Sequence, residues 1–143
     1  MNYQIRELQL KDLSNESFYQ TLSALKPVKD LASGLAEEIF NDCQTKGIET
    51  YVAVDNEKIV GTVRLLFEAK FYHQGRLAAH IEDVAINPNY QGRGIGRMLL
   101  KYAIEYCRTR NCYKIVLSCD DAVTPFYQKQ GFIKHENCLR YSL

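Results

Sequence analysis

The sequence predicts a mixed α/β fold, in which a central and mostly antiparallel sheet carries helices on both faces. Runs rich in β-branched and aromatic residues alternate with segments whose apolar residues recur every three or four positions. The strand–helix–strand unit of the C-terminal half indicates a parallel strand pair, because such connections are right-handed crossovers. The first half consists of neighbouring runs joined by turns, and we expect it to be antiparallel.

The N-terminal third predicts one strand and two helices. The strand covers Tyr3–Gln9, and the first helix covers Ser14–Leu25, with Ser14 or Asn15 as its cap. Pro27 interrupts this helix, because proline cannot continue a hydrogen-bonded turn. The second helix covers Leu31–Lys46 and stops at Gly47.

The centre of the chain changes to a strand pattern. The runs 50–54 and 58–67 are joined by the turn-forming pair Asp55–Asn56, which predicts a hairpin. A third run, Leu77–Ile86, ends at the turn sequence Asn87-Pro88-Asn89.

The C-terminal half continues with a helix over Ile95–Arg110 and a strand over Tyr113–Cys119. A short helix over Val123–Gln130 stops at Gly131, and a last strand is expected near Cys138–Ser142. No repeat or linker divides the chain, so we expect a single domain over residues 1–143.

Composition limits the classes of function. The chain has 143 residues, of which 46% are apolar and 24% charged, and its formal net charge is +1. This composition supports a core and argues against intrinsic disorder. The near-zero charge argues against a dedicated nucleic-acid binder. No apolar run approaches the ~18 residues of a membrane span, and the N-terminus lacks a signal-peptide core, so we expect a cytoplasmic protein.

The cysteines and histidines predict neither a disulfide framework nor a metal site. The five cysteines are odd in number and lack CxxC spacing, which favours buried, reduced thiols. The three histidines form no ligand pair of the HExxH type, and we expect no metal.

A glycine-rich segment, Gln91–Arg97, stands between a predicted strand and the most regular helix. Closely spaced glycines let the backbone turn its N–H groups toward one point, and the helix N-terminus adds a positive dipole end, so the segment suits a phosphate. A dinucleotide fingerprint would need glycine where Arg97 stands, and the Gly-Lys-Ser/Thr of a triphosphate loop is absent. An ordinary helix-capping turn is the alternative interpretation.

This segment resembles the pyrophosphate-binding signature of the GNAT N-acetyltransferase superfamily, which binds acetyl-CoA. Further segments resemble one branch of it, the eukaryotic-type glucosamine 6-phosphate N-acetyltransferases. They are Glu68–His73, His80–Ile86, Tyr90–Gly96, Cys112–Ile115 and Phe126–Phe132. The resemblance implies the GNAT fold, with two parallel middle strands, about Ile81–Ile86 and Lys114–Cys119, that splay apart. It also implies acetylation of D-glucosamine 6-phosphate to N-acetylglucosamine 6-phosphate, a precursor of UDP-GlcNAc.

The resemblance also implies how acetyl-CoA is held. The backbone of Val84, Ala85 and Ile86 would pair with the pantetheine arm as an added strand would. The pyrophosphate would lie in the glycine-rich segment. Its expected contacts are Gln91, Gly92, Arg93, Gly94, Ile95, Gly96 and Arg97.

Three residues are candidates for catalysis. Glu82 and Asp83 lie inside an otherwise apolar strand, where an unpaired carboxylate is costly. A structural salt bridge to a nearby Arg or Lys would explain such an acid, and a catalytic role is the other reading. We favour Glu82 as the base that takes the proton of the amine, and Asp83 as a residue that orients substrate. By resemblance, Tyr127 lies at the CoA sulfur and protonates the leaving thiolate; the alternative is a core aromatic.

The resemblance supplies further acceptor contacts. Besides Glu82 and Asp83, they are Lys70, His73, Tyr113, Lys114 and Arg140. Cationic side chains suit a phosphate dianion, although each alone is also compatible with a solvated surface charge. In the family, the equivalents of Tyr113, Lys114 and Arg140 reach across a dimer interface, which implies a homodimer.

The chain departs from the branch at three places. Ser118 stands where an acid is common, Val123 stands where an asparagine contacts CoA, and residues 25–28 read Leu-Lys-Pro-Val where a threonine is usual. Two other functions therefore stay open. One is a GNAT enzyme for another small amine or a protein amine, and the other is a non-enzymatic acyl-CoA-binding module.

Overall fold

The computed structural model describes residues 2–29 and 31–143 and confirms the mixed α/β fold. Five strands lie side by side in chain order; the first three pairs of neighbours are antiparallel, and the pair formed by the fourth and fifth strands is parallel. The strands are β1 (Gln4–Glu7), β2 (Glu49–Asp55), β3 (Lys58–Ala69), β4 (Leu77–Ile86) and β5 (Cys112–Val116). The helices are α1 (Glu16–Leu22), α2 (Leu35–Thr45), α3 (Ile95–Thr109) and α4 (Thr124–Gln128). No helix of the described residues is long and apolar enough to cross a membrane.

Strand alternation divides the core between the two faces of the sheet. Ala53 of β2 faces α3, where Leu99 and Leu100 are fully buried. The neighbouring Val52 faces α1 and packs with Phe18. Because successive residues of a strand point to opposite faces, one strand supplies both halves of the core.

A bulge interrupts β4 in its second half. Thr62 of β3 pairs with Ala85, and Arg64 pairs with Glu82, so one residue of β3 faces two residues of β4. The extra residue puts Asp83 in the left-handed region, with φ of 50°. Pairing between β4 and β5 ends at His80 and Val116. The rest of β4 is therefore not paired with β5, as the predicted splay requires. The prediction that both are middle strands was wrong, because β5 is the edge strand of the described sheet.

Several predicted elements need correction at their ends: the first helix, for example, covers Glu16–Leu22 rather than Ser14–Leu25. Helix α2 begins at Leu35 rather than Leu31, because Gly34 caps it with φ of 82°. Strand β5 ends at Val116, three residues before the predicted end at Cys119.

The predicted last strand near Cys138–Ser142 was wrong. Residues 133–143 form neither helix nor strand in the structure, and Leu139, Tyr141 and Leu143 are almost fully exposed. A strand needs a neighbouring edge to satisfy its backbone, and the tail pairs with none in the described part of the chain.

The expectation of buried thiols is correct for only part of the set. All five cysteines are free, and Cys107 is buried, where desolvation raises the pKa of its thiol to about 12. Cys119 and Cys138 are exposed, because both lie in irregular segments at the groove described below.

Candidate active site

The glycine-rich segment forms a loop that leads directly into α3. Gly92 and Gly94 have φ of 76° and 79°, a region that residues with a Cβ rarely adopt. Gly94 is the N-cap of α3, and the amide of Met98 donates to its carbonyl at 3.1 Å. The amides of the first helical turn precede this bond and point out of the helix end, so the loop presents N–H groups and a positive dipole end together.

The two arginines of the loop differ in how they are held. Arg93 donates to the carbonyl of Asn89 at 3.0 Å, and its guanidinium lies 4.7 Å from the centre of the Tyr90 ring. The buried Asn87 accepts a hydrogen bond from the Asn89 amide at 3.1 Å and so fixes the turn that carries both residues. Arg97 lies in the first turn of α3.

An open groove of about 1760 Å³ is lined by β4, β5, α4 and the C-terminal segment. It brings together four of the residues predicted from sequence. They are Lys70, Glu82, Lys114 and Tyr127. Ser118 and Cys119 also line the groove, at the end of β5 where the strand pair opens.

Glu82 and Asp83 line different spaces of the molecule. Glu82 lines the groove, whereas Asp83 lines an apolar cavity of about 260 Å³ between the sheet and helices α1 and α2. Arg64 Nη1 donates to Asp83 Oδ2 at 3.1 Å. The salt bridge that the sequence left open as an alternative is therefore present at Asp83.

Tyr127 lies on α4 in an aromatic cluster at the edge of the groove. Its ring packs edge-on against Phe126 and Phe132, with centroids 5.1 and 5.9 Å away. Burial raises the pKa of the Tyr127 phenol above its ordinary value, and the neighbouring Cys119 acts in the same direction. The phenol therefore keeps its proton at neutral pH and is available as a donor.

The predicted phosphate contacts form a cluster of cations and rings. The rings of His73 and Tyr113 lie 4.1 Å apart between centroids, and Lys114 Nζ lies 5.6 Å from the Tyr113 ring. Lys70 is hydrogen-bonded to Glu68, which raises the pKa of Lys70. The structure places Arg140 in the exposed C-terminal segment, outside the set of residues that line the groove.

Sequence reasoning missed four residues that contact the predicted ones or one another. Glu68 Oε2 lies 3.1 Å from His80 Nε2 across β3 and β4, and both residues line the groove. Thr62 and Arg64 bind Asp83 from β3. Arg64 could have been noticed, because it is a single charged residue in the apolar run of β3.

Comparisons with known proteins agree with this geometry. The Acetyltransferase (GNAT) family model matches residues 8–132. A glucosamine 6-phosphate N-acetyltransferase from Trypanosoma brucei brucei is 34% identical over 145 residues, which covers 100% of this chain and 97% of the relative. Glucosamine 6-phosphate N-acetyltransferase 1 from Oryza sativa subsp. japonica is 31% identical, with coverage of 92% and 82%. The crystal structure of a Trypanosoma brucei acetyltransferase superposes with a TM-score of 0.92 at 34% identity, covering 99% of this chain and 100% of that chain.

Proposed function

The chain belongs to the GNAT family of acetyltransferases, and we propose that it transfers the acetyl group of acetyl-CoA to the amine of D-glucosamine 6-phosphate. One observation carries the proposal. Glu82, Tyr127 and the cations Lys70 and Lys114 line one groove, which supports a site where an amine, a thioester and a phosphate would meet. The names of the two relatives support the choice of acceptor.

The residues present suit acetyl-CoA. The loop amides at the N-terminus of α3 would bind the pyrophosphate, with Arg93 and Arg97 adding positive charge. The backbone of Val84–Ile86 lies beyond the last residue paired with β5, and would pair with the amide groups of the pantetheine arm. When bound, acetyl-CoA supplies a thioester carbonyl that an amine can attack directly.

Two side chains would move the protons. An ammonium group must lose a proton before it can attack, and Glu82 on the groove side of β4 would accept it directly or through a water. Tyr127, whose raised pKa keeps it protonated, would donate to the leaving thiolate. Both groups line the groove, Glu82 on β4 and Tyr127 on α4.

The acceptor phosphate would be bound by the cluster around Tyr113. Lys114 and Lys70 would supply charge, and the adjacent rings of His73 and Tyr113 would contact the sugar. Losing one charge-assisted contact to phosphate costs about 1.5–3 kcal/mol, or roughly a 10- to 100-fold loss of affinity.

A homodimer belongs to the same proposal. Leu139, Tyr141 and Leu143 alternate along the exposed tail, and such spacing puts all three on one side of an extended segment. A second copy would cover these side chains and would receive Arg140 at its own site. Sedimentation should show a dimer that a Leu139→Glu, Tyr141→Glu variant disrupts, whereas Leu35→Glu on α2 should leave it intact. A monomeric wild type would contradict the dimer.

We place the enzyme in the cytoplasm, where its five free thiols stay reduced.

Thiol release from acetyl-CoA tests the acceptor, with D-glucosamine 6-phosphate and D-glucosamine compared side by side. Turnover should favour the phosphorylated sugar, and Lys114→Ala should raise the KM about 10- to 100-fold for that sugar alone. Lys101→Ala, an exposed lysine on α3, is the matched control. Turnover only with another amine would overturn the acceptor. Binding of acetyl-CoA without turnover of any amine would favour the non-enzymatic module.

A further inference from the structure

The β4 bulge is held from the neighbouring strand at two points. We propose that Thr62 and Arg64 are positioning residues for acetyl transfer, which fix Asp83 by its carbonyl and its carboxylate and thereby keep Glu82 and the end of β4 in place beside the groove. This inference rests on the proposed function and divides the roles of the two adjacent acids.

The first contact fixes the backbone. Thr62 is fully buried, and its Oγ1 donates to the carbonyl of Asp83 at 2.9 Å. Asp83 has the left-handed φ of 50° that residues with a Cβ disfavour, so its conformation has to be maintained by surrounding contacts. A buried hydroxyl can do this, because water does not compete for its hydrogen bond.

The second contact fixes the side chain. The guanidinium of Arg64 donates from Nη1 to Asp83 Oδ2 at 3.1 Å and from Nη2 to Cys43 Sγ on α2 at 2.9 Å. Its Nε is buried and has no hydrogen-bond partner among the described residues. The guanidinium therefore lies between β4 and α2, and it directs the Asp83 carboxylate toward the helices rather than toward the groove.

The two contacts explain why the neighbouring acids Glu82 and Asp83 have different proposed roles. Glu82 lines the groove and can reach the reactants, whereas Asp83 lines the apolar cavity beside α1 and α2 and is engaged by Arg64. Thr62 and Arg64 do not line the groove, and both contact Asp83 in the bulge. A small displacement of the bulge moves both Glu82 and the backbone of Val84–Ile86, and misplacement by about 1 Å can reduce a rate about 100-fold.

The isosteric pair Thr62→Val and Thr62→Ser separates positioning from packing. Thr62→Val removes the hydroxyl at nearly constant volume and should lower kcat about 10- to 100-fold, while the KM for the acceptor changes less than about 3-fold. Thr62→Ser retains the hydroxyl and should restore most of kcat. Thr45→Val removes an exposed hydroxyl on α2 and serves as the control. Equal kcat for Thr62→Val and the wild type would overturn the proposal.

Asp83→Asn and Glu82→Gln test the division of roles. Asp83→Asn should retain the acidic limb of the pH–rate profile, whereas Glu82→Gln should abolish it. Loss of that limb in Asp83→Asn alone would overturn the assignment.

Amide hydrogen exchange over residues 82–86 provides a readout that needs no acceptor. Faster exchange in Thr62→Val and Arg64→Ala than in the wild type supports the positioning role of these two residues, and unchanged exchange overturns it. If the variants exchange faster but the wild type does not acetylate glucosamine 6-phosphate, the proposed acceptor is rejected and the positioning role of Thr62 and Arg64 is retained.

Discussion

The ring of Phe126 occupies the space that a side chain at Gly96 would need: a Cβ placed on Gly96 would lie 3.1 Å from Phe126 Cζ. Gly96 is inside α3, so helical backbone does not require glycine there. The glycine instead lets α4 approach the first turn of α3. Since Phe126 precedes Tyr127, this close contact sets the distance between the phosphate loop and the proposed proton donor.

Gly96→Ala should therefore impair catalysis more than cofactor binding. The added methyl must displace the Phe126 ring by a few tenths of an ångström, and Tyr127 moves with it. We expect kcat to fall about 10-fold, while the Kd for acetyl-CoA, measured by calorimetry, changes less than about 3-fold. Phe126→Leu in the same chain removes the clash and should recover part of kcat. A Kd that rises as much as kcat falls would contradict this explanation.

Gly94→Ala should destabilise the fold through the backbone. The added Cβ meets nothing within 4 Å, so the effect comes from the φ of 79° alone. We expect a loss of about 1–2 kcal/mol in the free energy of unfolding, measured in urea. Gly94→Asn should cost less, because asparagine tolerates the left-handed region better than alanine does. Equal losses for the two variants would show that backbone strain is not the cause.

Tyr127→Phe should lower kcat about 100-fold or more, because it removes the proton donor and leaves the ring packing intact. The pKa of Tyr127 lies above its ordinary value of about 10, owing to burial and to Cys119. The phenol therefore remains protonated as pH rises from 7 to about 10, and the kcat of the wild type should not fall over this range through loss of that proton. A stopped assay of thiol release over that range measures both effects. Unchanged kcat in Tyr127→Phe would exclude the donor role.

Asp12→Ala should be the most destabilising of the charge removals. The buried carboxylate accepts two hydrogen bonds from Arg6, at 2.7 and 2.9 Å, and one from the Gln9 amide at 2.8 Å. Its removal leaves a partly buried cation unpaired, and we expect a loss of about 3 kcal/mol near neutral pH. Asp42→Ala removes an exposed ion pair with Lys46, which solvent screens, and should change stability far less than Asp12→Ala does.

The Asp12 effect should depend on pH with a definite sign. Burial opposes ionisation of Asp12, but the hydrogen bonds from Arg6 and Gln9 outweigh it, so its pKa lies below the ordinary value. The unfolded chain therefore takes up the proton first as the pH falls. The stabilisation is complete above about pH 4, and it is lost as the pH falls through the lowered pKa of the folded state. Urea unfolding of wild type and variant from pH 7 to pH 2 should converge at the acid end; a constant difference would contradict the assignment.

Local patterns predicted much of the fold. The bounds of β4 were predicted correctly, and α3 begins at Ile95 as expected, because an apolar run between turn signals and a period near 3.6 are properties of short segments. The glycine-rich loop could be identified in the same way. Its residues are contiguous, and the left-handed positions are occupied by glycine.

The sequence by itself therefore determined the mixed sheet, the phosphate-type loop and the resemblance that led to the family. Only the tertiary structure decided which of the two adjacent acids faces the groove, that Arg64 binds the other one, and that the C-terminal tail forms no strand in this chain. The reason is physical. A bulge arises from the pairing of two strands, and Arg64 and Asp83 are 19 positions apart. A strand pattern also cannot form a strand unless a neighbouring edge satisfies its backbone.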